Sequence, residues 1–177
     1  MHRLIRLLVQ VSRALSYVLV FSLGVPILLD LALGLQGAPL LALVTSSLIF
    51  QAAAAAVGVS LGLPPALILL VMTSFALGMV LAIFQICDTF SEQSERVNRW
   101  IEGIGEKAKK ITILDKYGAY SLIFISWLPG LGLYACPVIA WIFGWDRRYS
   151  VLFILIGWIL ASLAVLVTSL GLVSIVF

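Results

Sequence analysis

Charge is scarce in this 177-residue chain, where eight acidic and eleven basic residues make up 11% of the sequence against 63% hydrophobic residues. Soluble domains carry roughly a quarter charged residues, so an ordinary water-soluble globule is excluded. Histidine occurs once, as His2, and cysteine twice, as Cys87 and Cys136, far apart and in no paired spacing. Neither a metal centre nor a disulfide framework is indicated, and no cofactor is expected. The apolar tracts hold no Ser-His-Asp, Cys-His or paired-carboxylate arrangement, so an enzyme is not expected either. "GLGLYA" lacks the following lysine and the strand-and-helix setting that a nucleotide loop needs. The lysines and arginines are spread over short loops, a distribution that fits orientation in a membrane and not nucleic-acid binding.

Long apolar runs are what the chain does have. A bilayer core of about 30 Å takes about 20 apolar residues per helical span. Five tracts approach or exceed that length: Ala14–Leu35, Pro39–Leu63, Ala66–Cys87, Ala119–Trp145 and Ser150–Phe177. The first follows Arg3, Arg6 and Arg13, but it is too long for a secretory signal and has no convincing cleavage site, so it reads as a retained span. One substantial polar segment, residues 88–118, separates the third and fourth tracts. Within it "TFSE" at Thr89–Glu92 fits a capping box. The pairs Glu92/Arg96, Glu95/Arg99 and Glu106/Lys110 have the spacing of an exposed helix, and Val97, Trp100, Ile101 and Ile104 form an apolar stripe. The segment reads as an amphipathic helix on the membrane surface or as a solvated helix resting on the protein.

If all five tracts crossed, the basic residues of segment 88–118 would face outward, against the positive-inside tendency. If the second and fourth tracts dip in and return, all the basic residues fall on one face. Such re-entrant backbone is tolerated only when buried in protein or facing a watery cavity. The fourth tract has suitable punctuation: Pro129 lacks an amide hydrogen, Gly130 and Gly132 permit sharp dihedrals, and Pro137 is expected to end any helix begun before it. The second, with "QAAAAAVGVSLGLPP", fits a straight alanine-rich helix about as well as a hairpin. A shared plan favours the hairpin, since 39–87 and 119–177 each read as hairpin, "LGL" or "FGW", short link and helix. Two such units of opposite orientation form an inverted repeat, a transporter construction with its site near the midplane. The expected fold is therefore all-α and membrane-embedded, one domain over 1–177: a transmembrane helix at 14–35, re-entrant hairpin 39–63, transmembrane helix 66–87, surface segment 88–118, re-entrant hairpin 119–145 and transmembrane helix 150–177. Ser74, Gly78 and Ala82 in one span, and Gly157 and Ala161 in another, have the small-residue spacing of close helix packing.

The stretch "YGAYSLIFISWLPGLGLYACPVIAWIFGWDRRYSVLFILIGWILA", Tyr117 to Ala161, resembles the signature half of the small multidrug export family, which is related to the DedA or VTT-domain superfamily. The matching elements are Tyr117 and Gly118, the break at Pro129, Gly130 and Gly132, the basic turn at Arg147 and Arg148, and Gly157 four before Ala161. The first half keeps the family's frame and its "GLPP" ending, but Gln51 and Ala53 stand where members usually carry a glutamate and an arginine. The resemblance implies paired re-entrant hairpins and translocation of a lipid or lipid carrier. The acid and base of an ion-coupled mechanism are absent here.

Candidate pathway residues are Gln51, Pro129, Gly130, Gly132, Tyr134, Pro137, Asp146 and Arg147. Gln51 can bond a headgroup or free backbone, Tyr134 can line a cavity or pack, and Arg147 with Asp146 can meet a lipid phosphate or anchor the topology. Trp127, Trp141 and Trp145 mark an aromatic belt. Asp30, five residues before the end of the first span, reaches the interface. The expected function is transport or scrambling of a lipid or lipid-linked phosphate, with membrane lipids and further copies of the chain as partners. The alternatives are export of drugs or cations and a non-transporting scaffold acting through the helix around Trp100. The expected location is the plasma membrane of a prokaryote, multi-pass, with the N-terminus cytoplasmic.

Overall fold

The computed structural model describes residues 2–34, 37–93, 118–128 and 132–176, and these form helices and no strand. The chain begins with α1 (His2–Leu19), a π-helical turn (Val20–Gly24) and α2 (Val25–Leu33). Then follow α3 (Gly37–Phe50), a 3-10 turn (Gln51–Ala53), α4 (Ala54–Ser60) and the long α5 (Pro65–Gln93). The second half has a 3-10 turn (Gly118–Tyr120), α6 (Ser121–Ile125), α7 (Gly132–Ile142) and α8 (Arg147–Val176). By length and composition, Val9–Ala32, Gly37–Ser60, Pro65–Thr89 and Arg147–Gly171 are each sufficient to cross a membrane. The surface helix expected over 88–118, with Trp100, lies outside the described residues except at its two ends. At its start α5 runs on through Thr89 to Gln93, and the Thr89 hydroxyl donates back to the Gln85 carbonyl at 2.7 Å. Thr89 is thus inside a helix and does not cap a new one.

The first helix passes through a π-helical turn for a reason that the sequence carries. Pro26 has no amide hydrogen, and the N–H of Val25 reaches back to Val20 in the π pattern, so the Phe21 carbonyl loses the donor an α-helix would supply. Ser74 of α5 replaces it, its hydroxyl donating to Phe21 O at 2.6 Å. One turn on, Gly78 lets the two helices close up: a Cβ there would lie 2.8 Å from the Phe21 Cβ and 3.0 Å from the Tyr17 carbonyl. In an apolar medium such contact and hydrogen bonding replace the hydrophobic effect as the source of helix association.

The rest of the bundle surrounds α5 and α8, which pack on each other. Helix α5 also packs on α3, α4 and α7, and α8 on α6, α7 and α4. The buried centre includes Met72, Phe75, Val80, Leu133, Ile154 and Trp158. The connections into α5 and α8 have the same hydrogen bonds at one constant spacing along the chain. Leu61, Gly62 and Leu63 donate to Val57, Val59 and Gly58; Phe143, Gly144 and Trp145 donate to Ile139, Trp141 and Ala140. Both are Schellman turns, with Gly62 (φ +72°) and Gly144 (φ +65°) in the left-handed conformation that glycine tolerates. The same spacing relates Met72, Ala76, Val80 and Phe84 of α5 to Ile154, Trp158, Ser162 and Leu166 of α8, all buried.

Candidate pocket between two broken segments

The second tract is interrupted at Gln51. Its φ is +52°, and it is the one non-glycine with positive φ among the described residues. A side chain in that conformation costs about 1–2 kcal/mol, so packing must hold it, and Gln51 is 3% exposed. Beyond it α4 lies against α3 and α8. Alanine propensity favours a straight helix through this region, but propensity is a weak prior that tertiary contacts override.

The fourth tract is interrupted after α6. Pro129 and Gly130 lie outside the described residues, as does Leu131. Gly132 follows at once, pressed on the backbone of Ser126: a Cβ there would sit 2.6 Å from the Ser126 carbonyl carbon and 2.8 Å from its Cα. Its amide donates to Leu128 O at 2.9 Å. Gly157 of α8 also comes close to this segment, and a Cβ there would lie 3.0 Å from the Ile123 Cα. The two glycines therefore let α7 and α8 close on the break. Pro137 does not end a helix as expected; it lies buried inside α7, which continues to Ile142. Its missing amide hydrogen removes only the bond that Leu133, near the start of that helix, would accept.

The two interruptions face each other across a cavity of about 260 Å³, lined by Phe50, Gln51, Ala52 and Ala53 from one, Ser126, Trp127 and Leu128 from the other, and Ala161, Ala164 and Val165 of α8. The polar residues of this lining are few: Gln51, Ser126 and Trp127. Ser126 Oγ donates to Ile123 O at 2.9 Å. Tyr134 ties the halves together, its hydroxyl donating to the carbonyl of Leu48, three residues before the Gln51 break, at 2.6 Å. At 1.5 Å per residue, Ala161 is about 21 Å along α8 from Arg147, well inside a core of about 30 Å.

Asp146 and Arg147 have separate tasks. Asp146 Oδ1 accepts the amides of Arg148 at 2.8 Å and Tyr149 at 3.3 Å, capping the N-terminus of α8. Arg147 turns to Asp88 at the far end of α5, with Nη1 3.2 Å from Oδ2. Trp141 Nε1–H donates to Asp88 Oδ1 at 2.9 Å, and the Arg147 guanidinium lies 5.3 Å from the centre of the Phe84 ring. Sequence reasoning missed Asp88 as a partner, along with Ser126 and the α8 wall of the cavity. The available signal was that Asp88 ends a run from Leu31 without any charge. Of the eight expected pathway residues, Gln51 lines the cavity, Gly132 and Tyr134 shape its surroundings, Pro137 is buried in α7, and Asp146 and Arg147 stand at the α7–α8 connection.

A family model described as "Putative small multi-drug export protein" matches residues 51–164, nearly two thirds of the chain. The match opens on Gln51 and closes on Ala164, so it contains both interruptions and most of the cavity lining. No curated protein and no solved structure matches the chain.

Proposed function

The chain belongs to the small multidrug export family, and from that premise we propose that this multi-pass membrane protein translocates a lipid or lipid-linked phosphate through the cavity between its two broken segments. The meeting of the two breaks carries the reading. It brings Gln51, Ser126 and Trp127 together at a depth where lipid offers no polar partner, beside backbone that membrane proteins leave irregular only where it is buried or faces a cavity. The headgroup shelters there while the acyl chains stay in the bilayer.

In this reading both broken segments are half-crossing hairpins. Their limbs α3, α4, α6 and α7 measure about 21, 10, 8 and 16 Å at 1.5 Å per residue, each short of a core of about 30 Å. The two halves form an inverted repeat. Three observations support this: the matching Schellman turns, the matching buried positions of α5 and α8, and a packing scheme that is unchanged when α3, α4 and α5 are exchanged for α6, α7 and α8. The Arg147–Asp88 contact joins the start of α8 to the end of α5, as antiparallel copies require.

Reconstitution in liposomes tests transport: labelled phospholipid or polyprenyl phosphate is expected to cross faster than in empty vesicles, and no acceleration for any headgroup rejects it. Cysteine labelling, with Cys87 and Cys136 replaced, tests the hairpins. Positions 36 and 64 are expected to label from the outer side and positions 102 and 148 from the inner; outer labelling at 102 contradicts the arrangement. The family description favours a second reading, export of a hydrophobic cation. Vesicles that pump a lipophilic cation but leave every lipid in place would select it.

A further inference from the structure

Translocation of a lipid leaves the headgroup class unspecified, and the end of the bundle at Arg147 bears on it. Helix α5 runs about 35 Å from Pro65 to Asp88, longer than a hydrocarbon core of about 30 Å, so Asp88 reaches the depth of lipid headgroups when Pro65 marks the other surface. There the carboxylate and the Arg147 guanidinium stand side by side at 3.2 Å, each side chain 41% exposed. The second carboxylate oxygen is held by the Trp141 indole and the guanidinium faces the Phe84 ring. Among the described residues, one anion and one cation are thus presented together, on three helices that the headgroup of a passing lipid would meet.

We propose that Asp88 and Arg147 select zwitterionic phospholipids, the guanidinium taking the headgroup phosphate and the carboxylate its ammonium. This rests on the lipid-translocation reading above. A half-exposed ion pair is weakly held and opens readily. Guanidinium offers a fork of donors to phosphate oxygens. Exchange with a phosphate–ammonium headgroup replaces the Arg147–Asp88 contact by two, one to each headgroup charge, and the Trp141 bond to Oδ1 need not break. A headgroup with phosphate alone brings its negative charge against Asp88. A cation alone meets Arg147. Asp88 is in this account the residue that sets specificity, and Arg147 the one that binds.

The test uses the full chain in phosphatidylcholine vesicles with trace spin-labelled phosphatidylethanolamine or phosphatidylglycerol, reading the fraction held at the protein and the transbilayer rate. The wild-type protein is expected to hold the ethanolamine lipid roughly five-fold better, the factor from one like-charge contact near 4 Å in a solvated setting. Asp88→Asn is expected to erase or reverse that ratio, Asp88→Glu to keep it, and Arg147→Gln to lose both lipids. Equal retention by the wild type overturns the proposal. So does an Asp88→Asn variant that lowers both lipids together, which is what a mere staple between α5 and α8 would give. A ratio without transbilayer movement upholds the headgroup site and rejects translocation; movement without a ratio does the reverse. Excess soluble glycerophosphoethanolamine is expected to leave the ratio intact, and its collapse would assign the site to a soluble zwitterion instead.

Discussion

Replacing Gly132 with alanine should unsettle the break that forms one wall of the cavity. The added Cβ would sit 2.6 and 2.8 Å from the Ser126 carbonyl carbon and Cα, where carbon atoms normally rest about 3.5–4.0 Å apart. These are backbone atoms, with no rotamer to move aside, so either α7 or the end of α6 must shift by about 1 Å. Overpacking costs about 1–3 kcal/mol, and a backbone obstacle belongs at the top of that range. Alanine's better helix propensity returns up to about 1 kcal/mol, less at the first residue of a helix. The net loss is about 2–3 kcal/mol, or roughly 5–10 °C in melting temperature for a chain of this size. Thermal unfolding of the purified protein in nanodiscs, followed by tryptophan fluorescence, measures it. Gly171→Ala is the control, since nothing lies within 4 Å of a Cβ there, and it should melt at or above the wild-type temperature. A Gly132→Ala variant melting with the wild type would refute the close approach of α7 to Ser126.

Ser74→Ala should cost about 1–2 kcal/mol by leaving the Phe21 carbonyl without its donor. With Pro26→Ala supplying an amide nearby, the same change should cost less, a coupling that a double-mutant cycle reads as thermal shifts. Gly62→Ala and Gly144→Ala should each cost about 1 kcal/mol and so lower the melting temperature by similar amounts, because both sit at positive φ with open space around the Cβ; a large inequality would count against equivalent turns. Tyr134→Phe removes the bond to Leu48 and should cost about 1 kcal/mol, and an unchanged melt would show that this link between the halves contributes nothing.

Much of the architecture was legible because it is written in local chemistry. The apolar runs foretold the long helices, and "LGLPP" and "FGWDRR" marked the turns into α5 and α8 through glycines that the Schellman geometry requires. Small residues at Gly78 and Gly157 foretold close packing, since each sits under a neighbour that leaves no room for a methyl group. Other features depend on partners distant in sequence. The left-handed Gln51 hides in an alanine run whose propensity argues for a straight helix. Pro137 looked like a helix end, yet its lost bond falls near the beginning of α7, where it disrupts little. Asp146 and Arg147 read as a pair that meets a lipid phosphate or anchors the topology. The backbone of α8 takes the first as its cap, and the second is drawn to Asp88 on a helix from the other half of the chain.

The account stands on the cavity where the two interruptions meet, and plugging it is the most direct test. Ala164 lines that cavity from α8, and Ala164→Trp fills it while leaving the sequence of both breaks unchanged. In proteoliposomes of equal protein content, the transbilayer rate of labelled phospholipid is predicted to fall to the level of empty vesicles. A variant that folds and moves lipid at the wild-type rate would contradict passage through this pocket.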